Sequence, residues 1–260
     1  MTPEQIARAA DRFAKARKDG ARFDALPPDC RPTDIDDGYA IQEVLRERLG
    51  VPVAGYKIGC TTAVMQAFLN IAQPCGGLIQ QTELHTSPAK LRHGDYRRVG
   101  VECEIAVRLA SDLPAKAAPF DRNAVAEAVG ACMAAIEIVD DRYVDYSALD
   151  APTLIADDFF GAGCVLGEAR EDWNRIDLSE TKAAMTVNGK EIGRGTGAQV
   201  MGHPFEALAW LANTMAHRGR GLKRGQIVLT GSIVETQWLA KGDDVNVVVA
   251  GLGAAQARFA

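Results

Sequence analysis

No stretch of the chain approaches the roughly 20 consecutive apolar residues that a membrane-spanning helix needs, so an integral membrane protein is not expected. The six cysteines, Cys30, Cys60, Cys75, Cys103, Cys132 and Cys164, include no Cys-x-x-Cys pair. That removes the spacing on which zinc and dithiol redox motifs depend. Most of them lie in apolar surroundings and read as small buried hydrophobes. An excess of positive charge is missing too: 29 Lys and Arg stand against 34 Asp and Glu, a net charge of −5. Nucleic acid and acidic membrane surfaces reward a basic face, so neither is an expected partner. Internal repeats and low-complexity tracts are absent. The N-terminus carries Glu4, Arg8, Asp11 and Arg12 where a signal peptide would be apolar, and a cytoplasmic setting is the expectation.

What is present is a chain of 260 residues, 47% hydrophobic and 24% charged. That suffices for one large core, or for one domain with a helical extension. The first fifty residues read as helical. Thr2 caps a first helix, Pro3 fits its opening position and Gln5 completes a capping box. Ile6, Ala9, Ala10, Phe13 and Ala14 recur at helical spacing, and Gly20 ends the run. Beyond a proline-rich loop, Thr33 is the expected cap of a second helix that stops at Gly50. From Val51 onward short β segments alternate with glycine turns. Asn188-Gly189 signals a hairpin, and Pro204 to Gly219 brackets a helix with Leu208, Leu211, Ala212 and Met215 on its apolar face. Strands are expected at Ile227–Thr230, Val245–Val249 and Ala255–Phe259. The fold class is α+β, with a large antiparallel or mixed sheet system, divided into a helical region 1–50 and a β-rich domain 51–260.

The sharpest chemical signal is Val101-Glu102-Cys103-Glu104-Ile105-Ala106-Val107-Arg108-Leu109. Its alternate apolar residues share one face of a strand, which leaves Glu102 and Glu104 together on the other. In a second strand candidate, Ala134–Asp140, Glu137 faces away from Ile136 and Ile138. Carboxylates gathered in apolar segments repel one another unless exposed or bridged by a cation. Three of them can hold a hard ion such as Mg²⁺ or Mn²⁺ and leave positions open for substrate oxygens. A wet strand face is the plainer alternative. Lys57, inside Gly55-Tyr56-Lys57-Ile58-Gly59, is either a carboxylate-binding or acid group or a strand-end lysine reaching water. Thr230-Gly231-Ser232, at an expected strand end, is an anion-holding turn or an ordinary one. Ala156-Asp157-Asp158 offers supporting acids or turn caps, and His203, in Gly202-His203-Pro204, is a helix cap or a catalyst.

Taken in order, these segments resemble the fumarylacetoacetate hydrolase superfamily, and within it the 2-oxopent-4-enoate hydratase and 4-oxalocrotonate decarboxylase branch. Ile136-Glu137-Ile138-Val139-Asp140, Ala209-Trp210-Leu211-Ala212-Asn213 and Leu229-Thr230-Gly231-Ser232 join the stretches above in carrying the likeness, from about the first helix to the C-terminus. The resemblance implies a β-rich mixed-sheet roll with an N-terminal helical part, and a homo-oligomer that associates with a related pathway enzyme. It implies Glu102, Glu104 and Glu137 as ligands of Mg²⁺ or Mn²⁺, Lys57 and Asp157 as catalytic groups, and Thr230, Ser232 and Thr61 as substrate-binding groups. Hydratases of the branch carry an acid shortly after the glycine matched by Gly77. Here Gln80, Gln81 and Thr82 occupy that stretch, and Glu83, with a shift in register, is the carboxylate expected to serve as the catalytic group in its place. The family's Asn after the Asp is Asp158. The implied substrate is a small 2-oxo acid, and the implied reaction is addition of water to a 2-hydroxy-2,4-dienoate in aromatic-compound catabolism. Decarboxylation of a 4-oxalocrotonate-type 2-oxo acid, C–C bond hydrolysis and a non-catalytic partner subunit are the alternatives.

Overall fold

The structure, a computed structural model, describes residues 1–260 and every side chain except that of Phe68. Helix α1 (Pro3–Asp19) opens on the expected capping box: the Thr2 hydroxyl accepts from the Gln5 N–H and the Gln5 side chain accepts from the Thr2 N–H. It ends on Gly20 at φ 62°. Helix α2 (Ile35–Leu49) is capped by Asp34 rather than Thr33, because the carboxylate takes the Asp37 N–H at 2.8 Å. Thr33 instead donates its hydroxyl to the Asp37 carboxylate. Then follow β1 (Val53–Gly59), α3 (Ala63–Phe68), β2 (Cys75–Gln80), β3 (Leu84–Thr86), β4 (Ala89–Leu91) and β5 (Val99–Leu109). The middle of the chain forms α4 (Arg122–Ala126), β6 (Val129–Asp140), α5 (Ala151–Ala156) and β7 (Gly161–Leu166). The last third forms β8 (Lys182–Val187), β9 (Lys190–Thr196), α6 (Pro204–His217), β10 (Ile227–Trp238), β11 (Asp244–Val249) and β12 (Gly253–Phe259).

The strands build two mixed sheets, as the α+β reading requires. One has the order β2-β1-β10-β5-β6-β7-β3, with parallel pairs at β1/β10 and β7/β3; the other has the order β4-β12-β11-β8-β9. Val101, Cys103, Ile105, Val107 and Leu109 of β5 meet Ile136 and Ile138 of β6 in the principal core, which also takes in β11, β12 and α6. The β8–β9 hairpin turns on Asn188 (φ 52°) and Gly189 (φ 77°), the left-handed pair that a tight two-residue connection demands. His203 proves to be a cap: its Nδ1 accepts from the Phe205 N–H at 3.0 Å.

The expected strand end at Thr230 also needs revision. Strand β10 runs on past Thr230 to Trp238, because Gly231 is a bulge within a strand and not a turn after one. Its φ of 131° and the register shift between Leu229 and Ser232 absorb the irregularity. The helices of the first fifty residues share a core with later segments. Phe13, Leu26, Ile41 and Leu45 pack with Tyr143, Leu154 and Phe159 from the middle of the chain. Truncating Phe13, which is 1% exposed, should therefore loosen both parts at once. Phe13→Ala is expected to destabilise the whole protein by about 3–5 kcal/mol in one cooperative denaturant transition. A separate early transition confined to α1 and α2 would show that the shared core is weak. Among the described residues, no helix is long and apolar enough to cross a membrane.

Candidate active site

Strand pairing builds the site. Glu102 of β5 lies directly opposite Glu137 of β6, and Glu104 is paired across to Ser232 of β10. Like charges directly opposite on neighbouring strands are destabilising. Glu104 is 0% exposed and Glu137 1% exposed, so water does not relieve the repulsion. One oxygen of each of Glu102, Glu104 and Glu137 lies within 4.8 Å of the others. Some of the charge is answered locally. Thr236 donates its hydroxyl to Glu102, and the bulged Gly231 N–H donates to Glu104 Oε2 at 2.9 Å. Among the described residues Glu104 Oε1 and Glu137 Oε2 have no hydrogen-bond partner, and Glu137 Oε1 is met only by the Lys57 ammonium. Buried polar atoms almost always have partners. A set of hard oxygen donors with orphaned lone pairs converging on one point fits a divalent cation of the Mg²⁺ or Mn²⁺ type.

Lys57 of β1 enters this cluster from the side. It is 3% exposed, and its Nζ forms an ion pair with Glu137 Oε1 at 2.9 Å. Burial works against its charge, but the facing Glu137 and Glu102 outweigh burial and raise its pKa above the ordinary lysine value. The glycines around it now have a purpose. A Cβ on Gly77 would meet Asp158 O at 2.6 Å and Lys57 Cε at 3.1 Å; one on Gly59 would meet the Phe159 ring at 2.9 Å. The lysine stem thus lies in a groove that only glycine backbone leaves open, with its Nζ 5.0 Å from the centre of the Phe159 ring. We expect Gly77→Ala to push the Asp158 carbonyl and the lysine stem apart. Activity should fall more steeply than melting temperature, and paired kinetic and thermal measurements on the purified variant check this.

The remaining sequence-predicted residues fall into two groups. Thr230, Ser232 and Thr61 gather beside the glutamates. The Thr230 hydroxyl donates to Ile105 O at 2.8 Å, and Ser232 donates to Val234 O while lying next to Glu102. Thr61 packs on Gly231, where an added Cβ would stand 2.7 Å from its Oγ1. Asp157 and Glu83 are placed elsewhere. Both Asp157 oxygens are taken, by Arg17, Arg142 and the Tyr143 hydroxyl, and the two guanidiniums hold its pKa below the usual value in spite of burial. Among the described residues no hydrogen bond of Asp157 runs to Lys57 or the glutamates. Glu83 accepts from Gln80 N and Nε2 at 3.0 and 3.2 Å. It lines a cleft of about 510 Å³ with Arg17 and Arg142, and burial raises its pKa. Sequence reasoning missed Arg17, Arg142 and Phe159. None stands in a local pattern that links it to Lys57.

The cluster gives the metal-free protein an inverted pH response. Burial, then the Glu137 charge, push Glu102 from 4.5 up to about 7, and Glu104 is raised as well by burial and both neighbours. A carboxyl group whose pKa is higher in the folded state binds more protons folded than unfolded. Its contribution is complete below about 4.5 and is lost as pH rises through about 7. At 1.36 kcal/mol per unit the Glu102 share alone is on the order of 3 kcal/mol. Denaturant titrations in EDTA between these limits should therefore show stability falling with pH. Excess Mg²⁺ should flatten or reverse the trend, since ligands bind metal deprotonated. A rising curve in EDTA would contradict the buried cluster.

The sequence pattern of the fumarylacetoacetate (FAA) hydrolase C-terminal family matches residues 63–260, and the chain belongs to that family. It is 30% identical over 266 residues to a 2-keto-4-pentenoate hydratase of Paraburkholderia xenovorans (strain LB400), covering 100% of this chain and 96% of that protein. It is 34% identical over 231 residues to a 2-hydroxyhexa-2,4-dienoate hydratase of Comamonas testosteroni, with 86% of each covered. Its fold superimposes with a TM-score of 0.93 on 4-oxalocrotonate decarboxylase from Pseudomonas putida G7, solved with magnesium and adipate. That match has 25% identity and covers 100% of this chain and 99% of the other.

Proposed function

We propose that this chain is a divalent-metal-dependent hydro-lyase that adds water to a 2-hydroxy-2,4-dienoate of the 2-oxopent-4-enoate type, a reaction of aromatic-compound catabolism. The observation that carries the proposal is the pair of orphaned oxygens, Glu104 Oε1 and Glu137 Oε2, buried beside the Lys57–Glu137 ion pair. Named hydratases among the relatives supply the substrate class. Glu102, Glu104 and Glu137 would hold Mg²⁺ or Mn²⁺, which would serve as a Lewis acid for the carboxylate and C2 oxygen of the substrate.

The protein's own groups account for the rest. Lys57 Nζ holds a proton at the edge of the cluster, where it can deliver it to C5 of the dienoate as the enol proton at the C2 oxygen is given up to solvent, which leaves the α,β-unsaturated ketone. Water then adds across C3–C4, its oxygen to C4, conjugate to the carbonyl, and its proton to C3. Phe159 walls the ammonium on one side and limits water there. Thr61, Ser232 and the Thr230 segment border the substrate carboxylate. Asp157 acts through Arg17 and Arg142, and Glu83 serves as an acid–base group of the outer cleft. A cytoplasmic homo-oligomer, associated with a related pathway enzyme, completes the proposal.

A second reading, decarboxylation of a 4-oxalocrotonate-type acid, is favoured by one feature: Gln80, Gln81 and Thr82 leave no carboxylate in the stretch where the resemblance to hydratases implies one. Loss of CO₂ needs less base chemistry than hydration. Thermal melts in EDTA, Mg²⁺ or Mn²⁺, each with and without oxalate as a 2-oxo acid mimic, test the platform. Metal at a hundred times its Kd should add about 2.7 kcal/mol, and oxalate should add more only when metal is present. Consumption of 2-hydroxypenta-2,4-dienoate without CO₂ release from 4-oxalocrotonate separates the two reactions. A protein indifferent to metal would sink both.

A further inference from the structure

We propose that Arg17, on the N-terminal helix, is a positioning residue for the Lys57 end of the site: it clamps a strained left-handed turn whose Phe159 ring and Asp158 carbonyl wall the lysine. This inference rests on the function proposed above and extends it to a segment outside the matched residues 63–260.

The turn is the starting point. Asp158, Phe159 and Phe160 have φ values of 58°, 48° and 64°, three consecutive non-glycine residues in the left-handed region. L-residues visit that region singly, and a run of three persists only where the surroundings over-determine it. The constraint is visible. Arg17 Nε donates to Asp157 Oδ1 at 2.8 Å, and its Nη2 donates to Asp158 Oδ2 at 2.9 Å and to Asp157 O at 3.1 Å. Arg142 holds the other side, from Asp157 Oδ2 at 3.1 Å to Gly161 O at 2.9 Å. The two guanidiniums thereby grip the residues before, within and after the turn. Asp158 Oδ1 also accepts from the Leu78 N–H, which ties the turn to β2.

Across the turn from Arg17 stands the lysine. The Asp158 carbonyl lies over Gly77, beside Lys57 Cε, and the Phe159 ring lies against Gly59 with the ammonium 5.0 Å from its centre. Arg17 makes no contact with Glu102, Glu104 or Glu137 among its hydrogen bonds and ion pairs. Its removal therefore alters the wall of the lysine groove and leaves the metal ligands in place. A helix remote in sequence sets how firmly the proton-carrying ammonium is held over the substrate. Small misplacements of a reacting group produce large rate losses while binding is kept.

The test uses the full-length, Mg²⁺-loaded protein and the variants Arg17→Met, Arg17→Lys, Phe159→Leu and Arg17→Met/Phe159→Leu. Amide hydrogen exchange follows residues 157–161, melts report Mg²⁺ affinity, and steady-state kinetics use 2-hydroxypenta-2,4-dienoate. Arg17→Met should speed exchange in the turn while the β5–β6 strands stay protected. It should lower kcat about tenfold or more, with KM and Mg²⁺ affinity changed less than about threefold. Arg17→Lys, which keeps the cation facing Asp157 and Asp158, should recover part of kcat. Adding Phe159→Leu to Arg17→Met should cost little more, because both act through one element. Unchanged exchange in the turn overturns the proposal. So does a kcat loss that merely tracks the lost fraction of metal-binding protein, or single losses that multiply in the double variant. If the unaltered protein turns over no dienoate, the hydratase reading fails, and the exchange data alone still decide whether Arg17 holds the turn.

Discussion

Glu104→Gln is expected to abolish turnover and yet raise the stability of the metal-free protein. Glu104 is fully buried, carries the orphaned Oε1, and lies among two other carboxylates. Glutamine keeps an oxygen to accept from Gly231 N–H and gains an amide that can donate to Glu137, whose Oε2 lacks a partner. The substitution removes one of three repelling charges and satisfies a buried acceptor, a change worth about 1–3 kcal/mol in favour of the folded state. With metal the order reverses, since an amide is a weaker ligand than a carboxylate and the loss of a ligand removes the linked stabilisation. A deficit of several kcal/mol at the reacting centre corresponds to a loss of about a thousandfold or more in rate. Melts of both proteins in EDTA and in Mg²⁺, with kinetics alongside, give the crossing. A variant less stable than the parent in EDTA would mean that the carboxylates are not in conflict, and the case for an ion between them would fall with it.

The glutamates were legible because strand periodicity is local information. Glu102 and Glu104 must share a face once Val101, Cys103 and Ile105 are buried, and Glu137 must face away from Ile136 and Ile138. Periodicity does not give register. That Glu102 stands opposite Glu137 follows from the β5–β6 pairing, which only the folded sheet displays. The capping box at Thr2, the Asn188-Gly189 hairpin and the stop at Gly50 were legible for the same reason: each depends on residues a few positions apart. Gly231 misled because a bulge and a turn share one composition, and what distinguishes them is whether the next strand continues the ladder.

Asp157 shows where local reading stops. An acidic pair after an apolar helix looks the same whether it faces a substrate or a guanidinium. The partners that decide the matter, Arg17 and Arg142, lie 140 and 15 positions away. Arg17 sits among ordinary surface-like charges on an amphipathic helix, and nothing in its sequence neighbourhood marks it as half-buried. The three left-handed residues 158–160 leave no trace either, since none is a glycine and only the constraint from outside makes them adopt that conformation. Lys57 lies between these extremes. Its flanking glycines announced a special environment, but which atoms they make room for became visible only with Asp158 and Phe159 in place.

That environment makes Lys57→Met the sharpest test of the proton-carrying role. Methionine fills the stem of the groove formed by Gly59, Gly77 and the Phe159 ring, so packing is largely retained while the cation is lost. Removing a positioned proton donor typically lowers kcat by about 10²–10⁴-fold, and that range is expected here. Metal binding should move the other way. The Lys57 ammonium sits 2.9 Å from Glu137 Oε1 and competes electrostatically with a second cation for that carboxylate. Without it, Mg²⁺ should bind as tightly as before or more tightly, and the stabilisation by metal in melts should grow. Lys57→Arg should not rescue turnover, because the planar guanidinium is broader than the ammonium that the glycine-lined groove admits. Full kcat in Lys57→Met would remove the lysine from the chemistry and pass the proton to another group. Lost metal binding with lost kcat would instead make Lys57 a structural counter-charge for the glutamates. Only lost kcat with retained or strengthened metal binding assigns the proton to Nζ.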